Sequence, residues 1–313
     1  MSSESRFLAG KTAIVTGGGG GIGRAIALGL SRAGARILVN DLGVSVSGDR
    51  EEKNPADTVV EEILAEGGEA AANHNSVADR DAAQAMVKQA IDRFGSVDIV
   101  INNAGIIRMG AFAEMSEADW QSVLRVNLYG SFYLSRAAAR HFKAQRSGAY
   151  LHLTSASGLI GSTSQANYAA SKLALVGLSR AIALDLGPFG VRSNCLAPSS
   201  TSRMTELTDS ARKHMMSPEK YAALKRMRAA SAPERIVPLV AFLVSDAATA
   251  VNGQVFGARG NEVYLYSQHR PVRMVHAAGG WTPELMQERL AEALSPFLTP
   301  EEVITDVFTW PPA

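Results

Sequence analysis

The sequence predicts an open α/β fold, a parallel sheet wrapped on both faces by helices, and three observations carry that reading. Short apolar, β-branched runs alternate with longer amphipathic stretches, as strands joined by crossover helices do. A run of glycines lies between the first strand-like run and the first helix-like stretch. The chain has 313 residues, 46% of them hydrophobic, which suffices for the core of one large α/β domain with extensions.

Taken in order, Thr12–Thr16 reads as the first strand and Ile22–Ala33 as the helix after the glycines. Strand Arg36–Asp41 and helix Pro55–Glu66 follow, then strand Ala70–Asn75 and helix Asp79–Phe94, with Asp79 as the N-terminal cap. Strand Asp98–Asn102 leads into a long helix over Ala118–Gln145, capped by Ser116. Ala149–Thr154 and Arg192–Leu196 are strands on either side of helix Ala166–Leu186, and Pro233–Ser245 is the last helix of the alternation. Two segments interrupt it: a Gly/Ser/charge-rich insertion at Gly43–Asn54, and a Met-rich stretch from Ser199 to about Ala232. The tail holds Tyr264, Tyr266, Trp281 and Trp310, too much large apolar surface for a disordered extension. The expected organisation is a nucleotide-binding catalytic domain over 1–257, with a lid at about 199–232, and an extension over 258–313 packed on that domain or on a neighbouring subunit.

Charge and cysteine content narrow the function classes. A formal net charge of +1, from 31 basic and 30 acidic residues, gives no pull towards nucleic acid or an anionic membrane. The single cysteine, Cys195, leaves no internal disulfide or thiolate cage and fits a reducing compartment; in its apolar strand it reads as a small core residue rather than a nucleophile. The opening residues are polar, with no signal core and no membrane span, so a cytoplasmic protein is expected. The histidines show no metal-ligand spacing, and no metal is expected.

The chemistry-bearing residues fall at strand ends. Gly17, Gly21, Ile22 and Gly23 lie in the turn from strand to helix, where backbone amides can approach a pyrophosphate and a helix N-terminus can hold its charge. Asp41 ends the second strand, placed to accept from adenosine ribose hydroxyls and to repel an added phosphate, which selects NAD over NADP. Asn103, Ala104 and Gly105 form a small-residue turn at the same sheet edge and would line the cofactor crevice. Tyr168 and Lys172 are four residues apart on a predicted helix and share a face. A phenol of pKa ~10 is a poor base at neutral pH, and an adjacent ammonium would bring it towards the working range. Ser155 ends a strand and could hydrogen-bond a substrate oxygen, while Asn127, polar inside an apolar helix, could hold a water that continues a relay from Lys172.

In that order the glycine motif, Asn102-Asn103-Ala104-Gly105, Asn127, Ser155 and Tyr168-Ala169-Ala170-Ser171-Lys172 resemble the short-chain dehydrogenase/reductase family over roughly Leu8 to Gly257. The resemblance implies a Rossmann-type doubly wound sheet and exchange between a secondary alcohol and a ketone. It also implies a relay through Asn127, Ser155, Tyr168 and Lys172, with Lys172 touching the nicotinamide ribose as well. Ser76, Val77 and Pro198 join the cofactor residues on the same ground.

A narrower likeness is carried by Val39-Asn40-Asp41-Leu42-Gly43, Gly67-Gly68, Asn75-Ser76-Val77, Ala197-Pro198, Ser202-Arg203-Met204-Thr205 and Trp281-Thr282-Pro283-Glu284. These segments are similar to the (3R)-hydroxyacyl-CoA dehydrogenase unit of multifunctional β-oxidation enzymes. The chain departs from that group in carrying no hydratase or carrier domain, and Pro198-Ser199 stands where many relatives outside the group have Pro-Gly. The implied substrate is an acyl-CoA with a long or bulky acyl group, a steroid side chain included, meeting Ser155, Tyr168, Met204, Met215 and Met216, with the Met-rich stretch either a lid or a subunit contact. Arg270, Arg273, His269 and His276 could meet CoA phosphates or form a solvated basic face. A hydroxysteroid dehydrogenase, a 3-oxoacyl-carrier-protein reductase and a non-catalytic dinucleotide-binding scaffold are the other readings, and a homodimer or homotetramer is the expected assembly.

Overall fold

The computed structural model describes residues 6–44, 54–200, 217–218, 221–222, 225 and 231–310. The Met-rich stretch falls almost wholly outside these, and with it Met204, Met215 and Met216. In chain order the described elements are β1 (Thr12–Thr16), α1 (Gly21–Arg32), β2 (Arg36–Asn40), α2 (Pro55–Ala65), β3 (Ala70–Asn73), α3 (Arg80–Phe94), β4 (Ile99–Asn102), α4 (Glu117–Leu124), α5 (Gly130–Gln145) and β5 (Gly148–Leu153). They continue with α6 (Ala156–Leu159), α7 (Ala166–Leu186), β6 (Val191–Ser199), α8 (Val237–Val244), β7 (Val255–Arg259), β8 (Glu262–Leu265), α9 (Pro283–Leu294) and α10 (Ile304–Val307).

The eight strands form one sheet in the order β3-β2-β1-β4-β5-β6-β7-β8, parallel but for the antiparallel β7–β8 pair. This is the doubly wound arrangement the sequence predicts. Its strand order reverses between β1 and β4, where open α/β sheets leave a crevice at the carboxyl ends. Successive residues of a strand point to opposite faces and enter different cores. Val15 and Val39 pack with Ile26, Leu30 and Ile63 on one side, while Ile14 and Leu38 pack with Met86, Leu134 and Phe142 on the other. At roughly 1.5–3 kcal/mol for each large side chain buried, both faces contribute to holding the strand ends in register.

Side-chain caps fix where helices begin. The Asp79 carboxylate accepts from the amides of Asp81 and Ala82 at 2.8 and 2.9 Å, and the Ser116 hydroxyl accepts from Asp119 at 3.1 Å, as expected from sequence. The structure departs from expectation in three places. The stretch Ala118–Gln145 is not one regular helix, because residues Arg125–Tyr129 form a π-helical turn between α4 and α5, with Asn127 at its centre. Strand β6 runs on past Leu196 through Pro198; pairing with β5 ends at Leu196, so the missing proline N–H leaves no gap in that ladder. Strands β7 and β8 carry the sheet beyond position 257, and their signal is weak because Gly257 interrupts the first and every other residue of the second is exposed. No described helix is long and apolar enough to cross a membrane.

Candidate active site

The glycine turn is built from backbone. Gly17 and Gly21 have φ of 62° and 50°, left-handed values that favour glycine. A Cβ on Gly23 would lie 1.9 Å from the carbonyl oxygen of Gly17, so helix and turn approach as closely as a side chain would forbid. No side chain caps α1, which leaves the amides of its first turn available to an anion. Thr16 and Asn103 hold the turn from below. The Thr16 hydroxyl donates to the Ile101 carbonyl at 3.1 Å and accepts from the amides of Asn103 and Ala104, both at 3.1 Å. The Asn103 side-chain amide donates to the carbonyls of Thr16 and Gly17 at 2.8 and 3.1 Å, so Asn103 braces the turn directly.

Asp41 lies just past β2, beside this turn. One carboxylate oxygen accepts from the Gly19 amide and the other from the Gly43 amide, each at 3.0 Å. The oxygens keep further lone pairs for incoming hydroxyls. A buried amide network fixes the strand end before it: the Asn40 side chain donates to the Asn73 side chain and to the Asn75 carbonyl, both at 2.8 Å. Ser76 and Val77 follow this network, and Val77 is buried against the start of α5, where a Cβ on Gly130 would come within 2.9 Å of it. Positive φ at the turn, an uncapped helix end and a fixed carboxylate together fit a dinucleotide, with Gly17, Gly21, Ile22, Gly23 and Asp41 as the residues that could hold it.

Tyr168 and Lys172 lie on α7, both buried, at 9% and 4% exposure. The Lys172 ammonium donates to the carbonyl of Leu153 at 2.7 Å, and its nitrogen lies 5.7 Å from the centre of the Tyr168 ring. Ser155, which follows Thr154 after β5, caps α6 by accepting from the Ser157 amide at 3.1 Å and is near enough to the Tyr168 phenol to act on its pKa. Burial pushes Tyr168 up to about 12, against a smaller lowering by Ser155. The raised value runs against the expected lowering by an adjacent ammonium, and burial of the phenol is its largest cause. Lys172 itself is brought down to about 8 by burial.

Asn127 is fully buried in the π-helical turn. Its side chain accepts from the Ile106 amide at 2.8 Å and donates to the Ile106 carbonyl and the Ser171 hydroxyl at 3.1 and 3.0 Å. Its own carbonyl accepts from the Ser131 hydroxyl at 2.8 Å. A Cβ on Gly105 would lie 3.2 Å from the Asn127 side-chain oxygen and 3.4 Å from the Lys172 nitrogen, so these three residues adjoin. The structure thus gathers Ser155, Tyr168, Lys172, Asn127 and Gly105 at one point of the sheet edge. Pro198 lies at the end of β6, paired with Ala258.

Thr16, Ser171 and His152 stand out only once the chain is folded. Ser171 joins Asn127 to α7 by donating to the Tyr168 carbonyl at 2.8 Å. His152, fully buried on β5, faces the Asn102 side chain through Nδ1 at 3.2 Å, and its Nε2 has no protein partner. Burial, helped by the Lys172 charge, lowers His152 to about 3 and keeps it neutral. Cys195, its cross-strand neighbour, is raised to about 12 by burial, which fits a core thiol. Nothing in the sequence around His152 signals this setting, because a histidine inside a strand reads the same whether its ring is wet or dry.

Residues 11–216 match the model of the short chain dehydrogenase family. The chain is 39% identical over 293 residues to a protein named peroxisomal multifunctional enzyme A from Dictyostelium discoideum, covering 94% of this chain but 58% of that one. It therefore spans little more than half of that relative. It is 37% identical over 252 residues to a 3-oxoacyl-[acyl-carrier-protein] reductase of Staphylococcus aureus, covering 80% of this chain and 97% of the reductase. The crystal structure of a short chain dehydrogenase from Mycobacterium avium superposes with a TM-score of 0.82 at 35% identity, over 95% of this chain and 99% of that one.

Proposed function

This chain belongs to the short-chain dehydrogenase family, and from that premise we propose that it interconverts a 3-hydroxyacyl-CoA and its 3-oxo form with NAD as cofactor. That it is an oxidoreductase follows from the family; the thioester substrate and the choice of NAD are the proposal. The observation that carries it is the Ser155–Tyr168–Lys172 cluster at the same sheet edge as the glycine turn and Asp41. The resemblance of segments such as Val39–Gly43 and Trp281–Glu284 to the (3R)-hydroxyacyl-CoA dehydrogenase unit of multifunctional β-oxidation enzymes supports an acyl-CoA substrate. The Asp41 carboxylate supports NAD, since it would repel the added phosphate of NADP.

The proton chemistry belongs to the chain's own side chains. In ketone reduction Tyr168, which keeps its proton at neutral pH, gives it to the carbonyl oxygen, while Ser155 donates a hydrogen bond to that oxygen and holds it in place. Lys172 then favours the phenolate left behind. In alcohol oxidation the same atoms act in reverse. When bound, the nicotinamide ring supplies or accepts the hydride. Asn127 would carry the proton onward from Lys172 through a water. Because Lys172 loses its own proton as pH rises through about 8, ketone reduction should hold below that value and fall above it, read as kcat against pH.

Exposed Tyr129 and Phe132 on one helical stretch, and Leu173 and Leu184 on α7, support pairing of copies into a homodimer or homotetramer, which sedimentation would read. A lone buried cysteine supports a cytoplasmic setting. The reductase relative supports a second reading, reduction of a 3-oxoacyl carrier-protein thioester. A screen with NAD and NADP against short, long and steroid-side-chain 3-hydroxyacyl-CoAs, free hydroxysteroids and carrier-protein thioesters separates them. Fastest turnover of a CoA thioester with NAD is expected; a preference for carrier-protein thioesters with NADP would overturn the proposal.

A further inference from the structure

The end of the chain returns to the sheet edge and is fastened there by one buried cation. Arg259, the last residue of β7, is 3% exposed and pairs in register with Ser199 at the end of β6, so it lies beside the carboxyl edge. Its guanidinium lies 5.3 Å from the ring centre of Phe308 and 5.2 Å from that of Trp310, and one terminal nitrogen donates to the Trp310 carbonyl. Glu262 completes the clamp: it takes the Arg259 Nε at 3.1 Å and the Trp310 indole N–H at 2.8 Å, and the Tyr264 hydroxyl donates to it. A guanidinium that is buried, paired with Glu262 and set against two aromatic rings makes a built anchor, unlike an exposed ion pair.

Upstream of that anchor the same segment crosses the loop that joins Ser155 to Tyr168. A Cβ on Gly161 would lie 2.8 Å from the carbonyl oxygen of Glu302, so main chain rests on main chain there. On its other side this loop is tied to the segment after β4, where the Gly110 amide donates to the Ser164 carbonyl at 3.1 Å.

We propose that the segment from Leu298 to Trp310 is a strap that forms an outer wall of the substrate site, fastened by Arg259 and set against the reaction loop at Gly161. The inference rests on reading Ser155 and Tyr168 as the reaction centre. The strap limits how far the loop can move outward, and so how bulky an acyl group fits between them. Arg259 thereby determines specificity without touching the reacting atoms.

Two variants of the full-length chain test this. Arg259→Leu releases the fastening from the sheet side, and Trp310→Ala releases it from the strap side, and neither alters the loop itself. Hydrogen exchange of residues 156–165 should quicken by about tenfold or more in both, with exchange in α3 unchanged. Turnover of a short substrate should stay near wild type, while the KM for a long-chain substrate changes several-fold. Loop exchange that stays slow, or that rises equally across the whole protein in both variants, overturns the strap. A looser loop with KM unchanged for every chain length overturns its role as a wall. Exchange does not depend on the substrate's identity, so failure of the acyl-CoA reading would leave this result standing.

Discussion

The two halves of the sheet do their work with different material. On the β3-β2-β1-β4 side the site is made of main chain: glycines at positive φ, an uncapped helix end, and a carboxylate and an amide that hold that backbone in place. On the β5-β6-β7-β8 side it is made of buried side chains, with Tyr168, Lys172 and His152 withdrawn from water and shifted by that withdrawal. A surface made of amides binds by shape and can tolerate few added atoms. A dry cluster of titratable groups performs chemistry, and its cost appears as pH-dependent stability.

The largest break in this comparison should come from one added methyl group on the backbone side. Gly23→Ala places a carbon 1.9 Å from the Gly17 carbonyl, and relieving it must open the turn. At about 1–3 kcal/mol for overpacking of this kind, dinucleotide affinity should drop by ten- to hundredfold, measured by calorimetric titration, and activity with it. Lys172→Ala comes next: turnover should fall and cofactor affinity should weaken, and a purely catalytic defect would argue against contact with the ribose. Asp41→Ala should shift the preference between NAD and NADP by about tenfold towards NADP, the size of one close charge repulsion removed, read from kcat/KM with each.

The remaining effect concerns stability alone. His152 has a folded-state pKa of about 3, below the ordinary histidine value of 6.5, so the folded protein binds fewer protons than the unfolded chain between those values. Its contribution is full above about pH 6.5 and is lost as pH falls towards 3, at a slope of up to about 1.4 kcal/mol per pH unit. His152→Met should flatten that acid limb. An unchanged difference in Tm between pH 7 and pH 5 would mean that the ring is already solvated.

The same contrast explains what could be read before the chain was folded. Glycines at fixed spacing, an aspartate closing a strand, and Tyr168 four residues before Lys172 are local patterns that survive in one dimension. The caps Asp79 and Ser116 are equally local. What escaped depends on partners far along the chain. Asn103 braces the glycine turn 86 residues away, His152 lies against Asn102 fifty residues away, and Arg259 meets Trp310 fifty-one residues away. The π-helical turn at Asn127 leaves no trace in hydrophobic periodicity, because the inserted residue buries its amide against Ile106 and Ser171. The raised phenol escaped for a related reason: spacing reveals that an ammonium is near, but not how far the fold withdraws the ring from water.

The central claim is that the glycine turn on one half of this sheet holds the dinucleotide while the Tyr168 phenol on the other half moves the proton, with Lys172 serving both. The most direct test is Tyr168→Phe, with NAD titrated into the variant by calorimetry and turnover measured on the same preparation. The claim predicts NAD affinity equal to wild type and turnover lower by at least about 100-fold, the low end for removal of a general acid–base group. Near-normal turnover, or NAD affinity lost in step with activity, would contradict it.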